Sequence, residues 1–172
     1  MEKMKTLGDG TPISYTINVR GRLIDLGEPL VMGIMNVTPD SFYANSRVQT
    51  AEAIRQRAHQ IVAEGAKIID IGACSTRPGG VVVSAEEEMQ RLAFALPIVK
   101  EAEPDAILSI DTFHADIARR TIEEFGADII NDVEEGKDPE MFRTVAELGA
   151  PYILMSTAAN LHDMLIDFSR EV

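Results

Sequence analysis

Four short apolar runs in this chain end in a carboxamide or a carboxylate. Asn36 follows Met35, Asp70 sits within Ile69-Asp70-Ile71, Asp111 follows Ile110, and Asn131-Asp132 follows Ile130. A carboxylate can accept two neighbouring N–H groups, and a carboxamide both donates and accepts. Gathered at one place, such groups would hold a polar ligand by hydrogen bonds; scattered, each would only cap the loop that follows it. The loop Ser75 to Gly80 adds a positive charge in Arg77, with Pro78 stiffening it and Gly79-Gly80 loosening its far end. Arg77 could meet an anion, or face solvent in an ordinary turn. His59, His114 and His162 lie far apart without ligand spacing, so no zinc site is indicated.

The elements that must position these groups follow one repeated pattern. Apolar runs at Val31 to Met35, Ile68 to Ile71, Ile107 to Ile110, around Ile129-Ile130 and at Tyr152 to Met155 alternate with amphipathic helical stretches. Runs apolar on both faces suit parallel strands covered by helices. Three helical stretches end in the same words, Gly65-Ala66-Lys67-Ile68-Ile69-Asp70, Gly126-Ala127-Asp128-Ile129-Ile130-Asn131 and Gly149-Ala150-Pro151-Tyr152-Ile153-Leu154, each a left-handed glycine leading directly into a strand. Thr50 is placed to cap the helix running to about Glu64, Ser84 opens a capping box with Glu87, and Asp138-Pro139 starts the helix ending near Leu148. Pro97 predicts a kink or local break in its helix. Ahead of these units, residues 13–26 alternate around Arg20-Gly21 and read as a β-hairpin, a lid or plug.

Successive strand-helix-strand units wind right-handed, which leaves a (β/α)8 barrel or an open doubly wound sheet. The first strand is not followed by G-x-G-x-x-G, which weighs against the dinucleotide-binding version. In either fold the strands' C-terminal ends open on one face, so the Asn and Asp side chains are expected to converge. A full barrel needs eight strands and roughly 200 residues or more. The 172 residues read as one domain with five parallel strands, a partial barrel, with an open five-stranded sheet as the alternative. The helical stretch Ala158 to Val172 is followed by no further strand.

Composition narrows the function classes. A net charge of -12 repels polyanions, which sets nucleic acid aside as a partner. No apolar run reaches the roughly 18 to 20 residues that cross a bilayer, and Cys74 has no internal disulfide partner. Met1 to Gly10 is polar and lacks the apolar stretch of a signal peptide, so the expected location is the cytoplasm, with no membrane partner.

Two longer words are specific. Met32-Gly33-Ile34-Met35-Asn36-Val37-Thr38-Pro39-Asp40-Ser41-Phe42 and Asp70-Ile71-Gly72-Ala73-Cys74-Ser75-Thr76-Arg77-Pro78-Gly79 resemble the first- and second-strand signatures of the dihydropteroate synthases. Ser109-Ile110-Asp111-Thr112 and Ile129-Ile130-Asn131-Asp132-Val133 resemble the third and fourth, and the similarity runs from about Ile17 to Met155. The resemblance implies a TIM barrel, here its N-terminal portion, with about three later strands absent. It implies an enzyme of folate biosynthesis, a transferase that condenses 6-hydroxymethyl-7,8-dihydropterin diphosphate with p-aminobenzoate to give 7,8-dihydropteroate and diphosphate, and a target of sulfonamides.

By the same resemblance, Asp111 accepts the paired N–H groups of the pterin's pyrimidine edge, Asn131 reads its mixed edge, and Val133 and Met155 give apolar contact. As sequence features alone, Val133 and Met155 would be ordinary core residues. Thr76, Arg77 and Pro78 shape the p-aminobenzoate and diphosphate loop, and Asn36 helps hold Mg²⁺, the implied cofactor. Asn36, Arg77 and Asp111 are the candidate catalytic residues.

The chain departs from the family at three places. Tyr43-Ala44-Asn45-Ser46-Arg47 stands where Ser-Asp-Gly-Gly is usual, so Ala44 replaces an acidic residue; Glu134-Glu135-Gly136 replaces Ser-Gly-Gly; and Ser156 stands where His often follows Leu-Met. A further Asp, a Lys and an Arg-x-His pair come from later strands in the family. The 172 residues alone are therefore expected to be weakly active or inactive, with a homodimer, or a second chain that supplies the missing half, as candidate partners. Two other readings stay open: a methyltransferase using methyltetrahydrofolate, against which the Ser-Thr-Arg-Pro-Gly loop speaks, and a non-catalytic pterin-binding module.

Overall fold

The computed structural model describes residues 15–38, 47–74, 83–156 and Ile166. The hairpin forms first, from β1 (Thr16–Val19) and β2 (Arg22–Asp25), paired antiparallel. Its two-residue turn, Arg20-Gly21, has φ of 49° and 79°, and the Asn18 side chain accepts the Gly21 N–H at 2.8 Å. Both turn residues left-handed is the twist that suits a tight hairpin.

The chain then alternates β3 (Met32–Asn36), α1 (Arg47–Ala63), β4 (Ile68–Gly72), α2 (Ala85–Ala102), β5 (Ile107–Asp111), α3 (Ala115–Phe125), β6 (Ile129–Asp132), α4 (Met141–Leu148) and β7 (Tyr152–Leu154). The five later strands form one parallel sheet in the order β3-β4-β5-β6-β7. Every strand neighbours its successor, so the sheet has no point at which the strand order reverses. That is the winding of a barrel wall and excludes the doubly wound alternative.

The two faces of the sheet separate cleanly. Ile69, Ile71, Leu108, Ile110 and Ile130 join Leu92, Leu96, Val99, Ile117 and Val145 of the helices in the main core. The opposite face carries Ile68, Ile107 and Ile129, which pack with Val19 of the hairpin and with Leu30 and Met32 in a second cluster. These isoleucines begin their strands, so the hairpin closes the N-terminal end of the inner face. It is a plug at the end away from the strand-end polar groups, not a lid over them. A salt bridge fixes it: Arg20 Nε lies 2.7 Å from Asp128 Oδ1, while Asp128 Oδ2 accepts the Leu108 N–H at 2.9 Å.

The helix-to-strand joints form as the repeated words predict, with Gly65, Gly126 and Gly149 at φ of 103°, 67° and 60°. Ser84 caps α2 by accepting the Glu87 N–H at 3.2 Å, while the Glu87 carboxylate turns to Arg91. The Asp138 carboxylate accepts from Glu140 N at 3.0 Å and Ala115 N at 2.9 Å, tying the turn before α4 to the first residue of α3. Two expectations fail. Thr50 lies inside α1, which begins three residues earlier at Arg47; residues 39–46 lie outside the described residues. Asp138-Pro139 does not open α4, which begins at Met141 with Glu140 in the cap position and no side-chain cap bond. Of the kink or break expected at Pro97, the break is absent, since α2 runs through it. Pro97 is solvent-exposed, where water can serve the carbonyl that loses its helical N–H partner.

Candidate active site

Strand register brings the strand-end residues together. Asn36 pairs with Gly72, Gly72 with Asp111, Asp111 with Asn131, and Asn131 with Ile153. Alternate residues on a strand share a face, and counting by twos from Ile68, Ile107 and Ile129 places this row on the inner face. Asn36, Asp111 and Asn131 therefore stand on one line at the C-terminal ends of three strands, opposite the plug.

Gly72 makes the row compact. A Cβ at this position would sit 3.1 Å from Asp111 Oδ2 and 3.3 Å from Asn36 Oδ1. The missing side chain is the space into which the amide and the carboxylate lean.

One layer below lies Asp70, 4% exposed, with both oxygens engaged. Ser109 Oγ donates to Oδ1 at 2.6 Å and Asn131 Nδ2 donates to Oδ2 at 3.0 Å. Burial pushes the Asp70 carboxyl above its usual pKa, and the two hydrogen bonds oppose that. Asp111 is raised further, to about 7, first by burial and then by the charges of Asp70, Glu88 and Asp132. Among the described residues Asp111 is the site carboxylate poised to gain most from arriving N–H donors, which would favour its ionised form.

Asp132 does not join the row. Its carboxylate accepts from Glu134 N at 2.8 Å, Gly136 N at 3.2 Å and Tyr152 Oη at 2.7 Å, so it shapes the loop after β6. That loop holds Glu135 and Gly136 at φ of 65° and 68°. The glutamate thus occupies a left-handed conformation where the resemblance predicts glycine. Val133 is partly buried and Met155, just beyond β7, is 53% exposed, so Met155 is not a core residue. Thr76, Arg77 and Pro78, and Ala44 of the first loop, lie outside the described residues.

Sequence reasoning passed over Gly72 and the roles of Ser109 and Asp70. The signal available was the spacing Asp70-x-Gly72, which puts both on the inner face two residues apart.

The family model described as pterin binding enzyme matches residues 32–167. The chain belongs to this family. It is 44% identical over 136 residues to a dihydropteroate synthase of Streptococcus pyogenes, covering 78% of this chain and 50% of that protein. It is 42% identical over 146 residues to a mitochondrial folate synthesis bifunctional protein of Arabidopsis thaliana, covering 78% of this chain and 26% of that one. Among solved structures, the Xanthomonas albilineans dihydropteroate synthase with 4-aminobenzoic acid superimposes with a TM-score of 0.79 at 32% identity, over 92% of this chain and 63% of that one. The same enzyme in complex with 7,8-dihydropteroate gives a TM-score of 0.72 at 33% identity, over 90% and 58% of the two chains. The chain thus spans about half the length of the curated synthases it matches. With these relatives and its sequentially wound sheet, it has the TIM-barrel type of fold, represented among the described residues by five parallel strands and the N-terminal hairpin. No helix among the described residues is long and apolar enough to cross a membrane.

Proposed function

We propose that this chain supplies the pterin-reading part of a dihydropteroate synthase, which joins 6-hydroxymethyl-7,8-dihydropterin diphosphate to p-aminobenzoate. The observation that carries the reading is the in-register inner row of Asn36, Gly72, Asp111 and Asn131 at the C-terminal end of the sheet. It agrees with the ligands named for the similar structures, 4-aminobenzoic acid and 7,8-dihydropteroate.

In this reading the Asp111 carboxylate accepts the exocyclic amine and the adjacent ring N–H of the pterin. Asn131 offers an acceptor and a donor to the mixed edge beside it, and Val133 and Met155 give apolar contact to the ring. The reaction breaks the bond between the pterin methylene carbon and the diphosphate oxygen, and forms a bond from that carbon to the nitrogen of p-aminobenzoate. The amine loses a proton and diphosphate leaves. Arg77, with Thr76 and Pro78, meets the diphosphate or the aminobenzoate carboxylate.

Magnesium is part of the proposal, and the donor chemistry fits it. Asn36 Oδ1 is a hard oxygen at the mouth of the site, and Mg²⁺ needs few protein ligands because it keeps several waters. Among the described residues no group of three His, Cys, Asp or Glu is placed to hold a metal, so the ion would rest on Asn36, water and the ligand's phosphates. When bound it would spread the charge developing on the departing diphosphate. A cytoplasmic location belongs to the same proposal.

Isothermal titration tests the whole reading. Dihydropterin diphosphate should bind first, and p-aminobenzoate should bind with Mg²⁺ only to that complex. Binding of aminobenzoate without the pterin, or no pterin binding, would remove the synthase assignment; pterin binding without dihydropteroate formation, in the chain and in any longer chain that contains it, would leave a binding module.

A further inference from the structure

The Asp70 carboxylate is buried beneath the site and bonds no ligand-facing group except Asn131. We infer that Asp70, held by Ser109, is a positioning residue that locks the Asn131 carboxamide in one orientation, so that the site presents a fixed donor-acceptor pattern beside Asp111. The inference deepens the reading of this site as a pterin pocket and rests on it for the identity of the ligand, but not for the lock itself.

Asn131 can turn its amide by half a rotation at little intrinsic cost, exchanging oxygen for nitrogen. Here Nδ2 donates to Asp70 Oδ2 at 3.0 Å. An ionised carboxylate has only acceptors to offer, so the flipped amide would set two oxygens against each other in a buried place. Asp70 itself cannot swing away, because its other oxygen takes the hydroxyl proton of fully buried Ser109 at 2.6 Å. One Asn131 N–H is thereby committed below the row, and the carbonyl oxygen and the second N–H remain for the mouth. Asp111, its register partner on β5, when ionised offers only acceptors. A flat heterocycle that fits must bring paired donors to Asp111 and a mixed edge to Asn131. A ring whose edges carry the reverse pattern meets an amide that cannot adapt.

The lock makes a distinction between substitutions that charge alone does not. In Asp70→Asn the new amide can give its Nδ2 to Ser109 Oγ, which also accepts, and keep its oxygen toward Asn131. In Asp70→Ala nothing fixes the Asn131 amide.

The test is the solvent-exchange rate of the Asn131 side-chain amide protons, measured by NMR in the wild-type chain, Asp70→Asn and Asp70→Ala. Exposed Asn18 serves as the reference. Wild type and Asp70→Asn should show Asn131 exchange at least tenfold slower than Asn18, and Asp70→Ala should lose that protection. Asn131 exchanging as fast as Asn18 in wild type overturns the inference without any variant, which guards against Asp70→Ala failing to fold. Equal protection in wild type and a folded Asp70→Ala overturns it too. Titration with 6-hydroxymethylpterin then adds the functional arm: about tenfold weaker binding in Asp70→Ala and near-wild-type binding in Asp70→Asn are expected, and equal affinity in all three overturns the link to recognition. If wild type does not bind this pterin, the functional reading fails while the exchange rates still decide the lock.

Discussion

The two ends of the sheet's inner face are built from the same strands and could hardly differ more. At the N-terminal end Ile68, Ile107 and Ile129 are sealed by Val19, Leu30 and Met32. Two to four residues further along, the same strands present Asp70, Ser109, Gly72, Asp111 and Asn131. One end is an apolar floor; the other gathers polar groups that are only partly satisfied within the protein. The difference teaches that stability and chemistry are divided along each strand, as in barrels generally, so changes at the two ends should separate folding from binding.

Four substitutions or conditions put that division at risk. Ile129→Ala at the floor should cost about 2–5 kcal/mol of folding stability in urea denaturation, with pterin affinity of the folded molecules unchanged; a matching loss of affinity would mean that the ends are coupled. Asp111→Ala should weaken pterin binding by about 10²-fold or more, because two ring N–H donors would be buried without an acceptor. Its melting temperature should not fall, and near-normal affinity would take Asp111 out of the site.

The third way is pH. With the Asp111 pKa raised to about 7, affinity for 6-hydroxymethylpterin, which has no phosphate to titrate, should fall toward tenfold per unit as pH drops below about 7. Stability responds with the opposite sign. A carboxyl whose folded pKa lies above its unfolded value stabilises the fold fully below about 4 and loses that contribution as pH rises through about 7. Thermal melts of wild type against Asp111→Ala over this window isolate the effect, and identical pH profiles would show that Asp111 titrates normally. The smallest effect belongs to Gly72→Ala. Its methyl group would press Asp111 and Asn36 off their present rotamers at about 1 kcal/mol, a three- to tenfold loss of pterin affinity by calorimetry with little change in melting temperature.

Much of this division was legible in the residues. The five parallel strands, the hairpin and the glycine joints follow from apolar runs, turn residues and helix stops, all of which act locally. Asn36, Asp111 and Asn131 were legible because each terminates an apolar run. Asp132 misled, since a strand-end aspartate that serves a ligand and one that holds a loop together look identical until its Tyr152 and backbone partners are known. Asp70 was visible but its depth was not: only cross-strand register shows that it pairs with Ser109, one layer beneath the row. Thr50 and Asp138 were misjudged because a cap depends on where the preceding chain turns, and Pro97 leaves its helix unbroken because it faces outward.

The Arg20–Asp128 bridge has a consequence for the order of assembly. The parallel strands associate with their immediate successors, so the wall can grow one unit at a time. The floor cannot, because its anchor joins a residue near the beginning to one that emerges more than a hundred positions later. Closing a loop of that length costs roughly 4 kcal/mol of chain entropy, which is recovered only after the fourth parallel strand has a place to stand. The hairpin is made before the wall and is thus the last to settle, and Val19→Ala should hasten unfolding while leaving the refolding rate nearly untouched in stopped-flow measurements; a slowed refolding limb would put the hairpin among the early contacts instead.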